Sequence, residues 1–155
     1  MKQESRFVAE LYRYLAPFID ATSPLYLSLD GIAAQKGVRD GEFIDPDVPD
    51  LWFTLAGSPR LTLLEAKVLH ADRTVTVNQG QLTAWRSSGL GQHRPTAWVA
   101  ADEPFRAFFF WTHADFLARL DASNATVPYP KFRLPDVRTE FTEVRQLALH
   151  VLRSA

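Results

Sequence analysis

The stretch that most constrains the fold is residues 60–69, Arg-Leu-Thr-Leu-Leu-Glu-Ala-Lys-Val-Leu. Read as a strand, it sends successive side chains to opposite faces. Leu63, Glu65, Lys67 and Leu69 share one face; Thr62, Leu64, Ala66 and Val68 share the other. Both faces are largely apolar, which marks a central strand covered on both sides. Glu65 and Lys67 therefore stand where hydrocarbon is expected, and burying charge without compensation is costly. One account is an ion pair between them at a solvated strand end, since structural pairs are common. A functional site is the alternative.

The preceding segment sharpens the choice. Residues 51–55 form a short apolar and aromatic strand, and Ala56-Gly57-Ser58-Pro59 is a turn. If Gly57-Ser58 closes a hairpin, paired positions sum to 115 and Asp50 lies opposite Glu65. Side chains directly opposed in this way stand about 4.5–5.5 Å apart, and like charges there repel. Two such carboxylates beside a lysine need a cation between them, or one must hold a proton. Oxygen ligands suit Mg²⁺, which binds through one or two carboxylates and keeps waters for a phosphate substrate.

The rest of the chain supplies the frame. Phe7, Val8, Leu11 and Leu15 predict a helix over residues 4–15, stopped by Pro17. Residues 25–29 alternate after Pro24 and read as a strand, and residues 31–49 as a loop. Residues 71–77 read as a polar connection, and Asn78 opens a helix that ends at Gly89. Strands follow at 96–101 and 106–111. Thr112-x-x-Asp115 resembles a capping box ahead of Phe116, Leu117 and Leu120. Residues 122–135 carry three prolines and no period. A last helix after Asp136 carries Phe141, Val144, Ala148 and Val151 on one stripe. The expected fold is α/β, a mixed central sheet flanked by helices, in one domain spanning residues 1–155.

Composition narrows the chemistry. With no cysteine, a disulfide scaffold, a thiolate zinc site and a cysteine nucleophile are excluded. The four histidines, at 70, 93, 113 and 150, lie far apart and give zinc little support. Net charge is −1, from 17 Lys+Arg against 18 Asp+Glu, so any nucleic-acid contact has to come from local patches. The N-terminal residues lead into no long apolar run and nothing reaches membrane-spanning length, so a cytoplasmic protein without membrane contact is expected.

Pro49-Asp50, fourteen residues, then Glu65-Ala66-Lys67 resembles the PD-(D/E)xK nuclease superfamily. The superfamily core, a helix, a three-strand meander, a helix and a further strand (αβββαβ), follows the order read over residues 4–101. That is a restriction-endonuclease-like fold, here with an extra strand and C-terminal helices. Gln81 and Trp85 look like the glutamine-bearing helix of its virus-type and junction-resolvase-like branches. The resemblance implies that Asp50, Glu65 and the Ala66 carbonyl hold Mg²⁺, with Mn²⁺ as a substitute. Lys67 would then work on the attacking water and the phosphate.

Many members add a glutamate from the first helix. Glu4 lies on the apolar stripe and Glu10 off it, so Glu4 is favoured; its other reading is a charge suited to the helix N-terminal dipole. Gln81 either completes a capping box with Asn78 or, with Gln79 as the alternative, turns toward phosphate. Lys36, Arg39, Arg86 and Arg94 are the candidate DNA contacts. The expected function is a Mg²⁺-dependent DNA endonuclease that selects DNA by structure or through a partner. A repair or recombination role in a phage or bacterium follows from the resemblance. Near-neutral charge leaves room for a homodimer or a larger complex to supply DNA contacts. The rival is a nuclease-fold binding or assembly protein without catalysis.

Overall fold

The computed structural model describes residues 3–36, 38–39, 42–43, 49–77, 85, 94–121, 131–133 and 139–155. Helix α1 (Gln3–Leu15) buries Phe7, Val8, Leu11 and Leu15, the predicted stripe. A 3-10 turn, Ala16–Phe18, holds Pro17 and ends it.

Residues 25–29 are not a strand. Helix α2 (Leu29–Lys36) begins there instead. Ser28 decides the matter. Its Oγ accepts the Gly31 N–H at 3.1 Å and its carbonyl accepts the Ile32 N–H at 2.9 Å, the pattern of a helix N-cap. The apparent alternation buries little, since Leu25 and Tyr26 are 56% and 37% exposed. The expected loop 31–49 therefore holds most of α2, and then a short antiparallel pair, β1 (Val38–Arg39) with β2 (Glu42–Phe43).

The main sheet contains β3 (Leu51–Thr54), β4 (Leu61–Val68), β6 (Ala97–Ala101), β7 (Phe108–Thr112) and β9 (Glu140–Phe141), side by side in that order. Only β4 and β6 run parallel; the other neighbours are antiparallel. Strand β5 (Thr74–Thr76), in the expected polar connection, pairs with β8 (Lys131–Arg133), in the expected irregular stretch. Val75 and Val77 are buried there. Helix α3 (His113–Asp121) follows β7, with Thr112 Oγ1 accepting the Asp115 N–H at 3.1 Å as the capping motif predicts.

The last helix, α4 (Val144–Ser154), starts later than Phe141. A capping box sets the start: the Glu143 side chain accepts the Gln146 N–H, and the Gln146 side chain accepts the Glu143 N–H at 3.2 Å. Phe141 belongs to β9, opposite Phe108. The first strand of the expected meander is also replaced. An isolated bridge joins Ile19 to Leu55, and the Asp20 N–H donates to the Thr54 carbonyl at 2.8 Å. Among the described residues the meander thus has two strands, β3 and β4, and the fold stands as α/β with a mixed five-stranded sheet flanked by helices.

The sheet is covered on both faces. Leu64, Ala66, Val99 and Phe110 pack with Phe7 and Leu11 of α1 and Leu147 and Val151 of α4. Trp98, Ala100, Phe109 and Trp111 pack on the other face with Trp85 and Phe116. Trp98 stacks on Phe116 at 3.9 Å and meets Trp85 edge-on at 5.5 Å. Its Nε1–H donates to His113 Nδ1 at 3.0 Å. Trp85 is helical, and the remainder of the predicted helix at 78–88 lies outside the described residues.

Candidate functional site

The hairpin forms in the predicted register. Leu51 pairs with Leu64, Trp52 with Leu63, Phe53 with Thr62 and Thr54 with Leu61, so every pair sums to 115. The turn works because Gly57 sits at φ +79, in the left-handed region, while the Ser58 N–H donates to the Leu55 carbonyl at 3.0 Å. Asp50 comes just before β3, next in line after the Leu51–Leu64 pair and so level with Glu65. Its carboxylate reaches one residue further, where Oδ2 accepts the Ala66 N–H at 2.9 Å. Asp50 is thereby tied to the Glu65-Ala66-Lys67 segment.

Glu65 is 2% exposed, the one charged side chain among the buried described residues. Across the parallel ladder it stands beside Trp98, and Lys67 beside Ala100. The two therefore face the aromatic side of the sheet. Lys67 and Asp50 are half-buried, so the charge density rises toward the end of β4. Among the described residues, His, Asp and Glu form no group of three. The donor set at this strand end is two carboxylates and a backbone oxygen. It is all oxygen. That set fits Mg²⁺ or Mn²⁺ better than zinc.

The other candidates are placed as follows. Glu4 lies in the first turn of α1, half-buried, on a helix whose apolar stripe packs with Leu64 and Ala66. Strand alternation puts that face opposite the one bearing Glu65 and Lys67. Glu10 lines a separate cleft of about 590 Å³ between α1 and the start of α4, with Arg6, Tyr14 and Arg145. Arg6 also stacks over the Phe105 ring at 4.8 Å. Lys36 ends α2 and Arg39 lies in β1; their side chains are outside the description. Gln79, Gln81 and Arg86 lie outside the described residues. Arg94 is exposed just before β6.

The parallel neighbour of β4 was missed as a contributor to the site. Trp98 lines up with Glu65, yet nothing local in residues 96–101 signals which strand they join. No protein-family model, curated protein or solved structure matches the chain. Among the described residues no helix is long and apolar enough to cross a membrane.

Proposed function

We propose that the chain is a Mg²⁺-dependent DNA endonuclease with its centre at the end of the β3–β4 hairpin. One observation carries the reading: the Asp50 carboxylate is held on the Ala66 N–H, beside the buried Glu65 and one residue from Lys67. Asp50, Glu65 and the Ala66 carbonyl would hold the cation. A bound divalent cation lowers the pKa of its water and neutralises charge on a phosphate. Asp50 and Glu65 orient the attacking water, and the Lys67 ammonium donates to the phosphate oxygens as charge builds on them. Such a donor is worth most where the site is fixed in advance. Gln81 is assigned a supporting role on the same reading, and Lys36, Arg39, Arg86 and Arg94 phosphate contacts; Glu4 is left out, because its helix packs on the opposite face of the sheet. With a net charge of −1, a second copy or a partner supplies the remaining DNA contacts. The chain acts in the cytoplasm, on DNA chosen by its structure.

The test is cleavage of plasmid, single-stranded, branched and flapped DNA, and of RNA, by wild type and Lys67→Ala with Mg²⁺, Mn²⁺ or EDTA. Cutting that needs metal and disappears in the variant supports the proposal, and the panel reports the substrate shape. No cutting by wild type with any metal overturns it.

A specific observation favours a second reading, a metal-free binding or assembly protein on this fold. The Asp50–Ala66 bond already performs a structural task, since it occupies a backbone donor at the strand end. Calorimetric Mn²⁺ titration separates the two: heat of binding lost in Glu65→Gln favours the nuclease, and none in wild type favours the binding protein.

A further inference from the structure

The end of β3 carries an arrangement that the site's charged residues do not account for. In β4 the odd-numbered residues bond toward β6. The Thr96 N–H donates to the Leu63 carbonyl at 2.8 Å, and the Leu69 N–H donates to the Ala101 carbonyl at 2.8 Å. Even-numbered residues therefore bond toward β3, and Leu64 does so opposite Leu51. In an antiparallel ladder the N–H and C=O of one residue point to the same neighbour. Ala66 fits this, because its N–H is turned to Asp50 on the β3 side. Its carbonyl points the same way.

Continued two residues past its last pair, across the bend at Asp50, the register would set residue 49, a buried proline, opposite Ala66. At that position a residue with an N–H would be placed to donate it to the Ala66 carbonyl and so complete the rung. Proline has no N–H to donate. The accepting half of the exchange is taken over by the Asp50 side chain. Each half of the next rung is thus replaced, one by a missing donor and one by a carboxylate.

We infer that Pro49 is a positioning residue: by withholding an N–H it ends the β3–β4 ladder at Leu51–Leu64 and keeps the Ala66 carbonyl open as the third oxygen donor to a divalent cation beside Asp50 and Glu65. The inference rests on the metal-site reading above. Its distinctive content is that the backbone at 49, not a side chain, sets the affinity. Pro49→Ala and Pro49→Val each restore the N–H, the second with a side chain of similar bulk suited to a strand.

Two measurements decide it. Amide hydrogen exchange on the metal-free variants asks whether the new N–H at 49 is protected. Mn²⁺ titration by calorimetry asks what that bond does to binding. The expected result is a slowly exchanging amide at 49 in both variants, with Mn²⁺ bound about tenfold more weakly than by wild type, as a competing hydrogen bond of ordinary net strength implies. The far-ultraviolet circular dichroism should match wild type. A rapidly exchanging amide at 49 overturns the inference at the strand end, whatever the metal does. A protected amide with unchanged Mn²⁺ affinity overturns the link to the cation and leaves the metal-site reading standing. Failure of wild type itself to bind Mn²⁺ overturns both.

Discussion

Glu65 sits at 2% exposure in a central strand, flanked by Leu64 and Ala66 in sequence and by Trp98 across the ladder. A carboxylate in such surroundings has to be matched by partners or neutralised. Glu65→Gln keeps the shape and removes the charge. We expect it to abolish metal-dependent cleavage. We also expect it to erase the metal-induced rise in thermal midpoint, which for wild type at a hundredfold excess over Kd corresponds to about 2.7 kcal/mol. Differential scanning calorimetry with and without Mn²⁺ checks this. An undiminished midpoint shift in the variant removes Glu65 from the ligand set. At this scale the hairpin register was legible in the sequence. Alternation placed Glu65 and Lys67 together, and the turn at Gly57 set the register that brings Asp50 level with them. What the pattern could not supply was the side-chain reach of Asp50 past its level partner to the Ala66 N–H.

At the scale of elements, α4 shows how packing tunes a titrating group. His150 lies between Phe110, at 4.5 Å between rings, and Phe141, at 5.4 Å. Partial burial, and then the nearby Arg153 charge, lower its pKa below the ordinary histidine value. A folded-state pKa below the unfolded value of about 6.5 means the unfolded chain takes up the proton first. The stability linked to neutral His150 is therefore complete above that unfolded value and is lost as pH falls through the lower folded one. His150→Phe removes the titration while keeping a ring. The difference in thermal midpoint between pH 8 and pH 5 should be smaller in the variant, and a difference as large as in wild type removes His150 as a contributor. Sequence reading of the elements was uneven for a physical reason. Long amphipathic or doubly apolar segments such as α1 and β4 declare themselves, because their burial is periodic. Helix α2 did not, since its start depends on the Ser28 cap and its pattern carries little amphipathic signal.

For the whole molecule, the sheet joins two apolar layers, and Trp98 anchors the one that Glu65 and Lys67 face. It is almost fully buried, stacked on Phe116, edge-on to Trp85 and hydrogen-bonded to His113 Nδ1. Trp98→Ala should cost about 3–5 kcal/mol, as for large-to-small changes in a packed core, read from urea unfolding. A loss under about 1 kcal/mol, the scale of a surface change, would show that this layer does not hold the sheet together. The sequence by itself determined the α/β class, the α1 stripe, the hairpin register and the meeting of Asp50 with Glu65-Ala66-Lys67, because each follows from periodicity or from a turn a few residues long. The tertiary structure alone decided that β4 takes β6 as its parallel neighbour, that β5 finds β8, and that Phe141 joins the sheet as β9. Those pairings join segments distant in the chain, and their free energy comes from burying both partners at once. Neither partner carries that information alone.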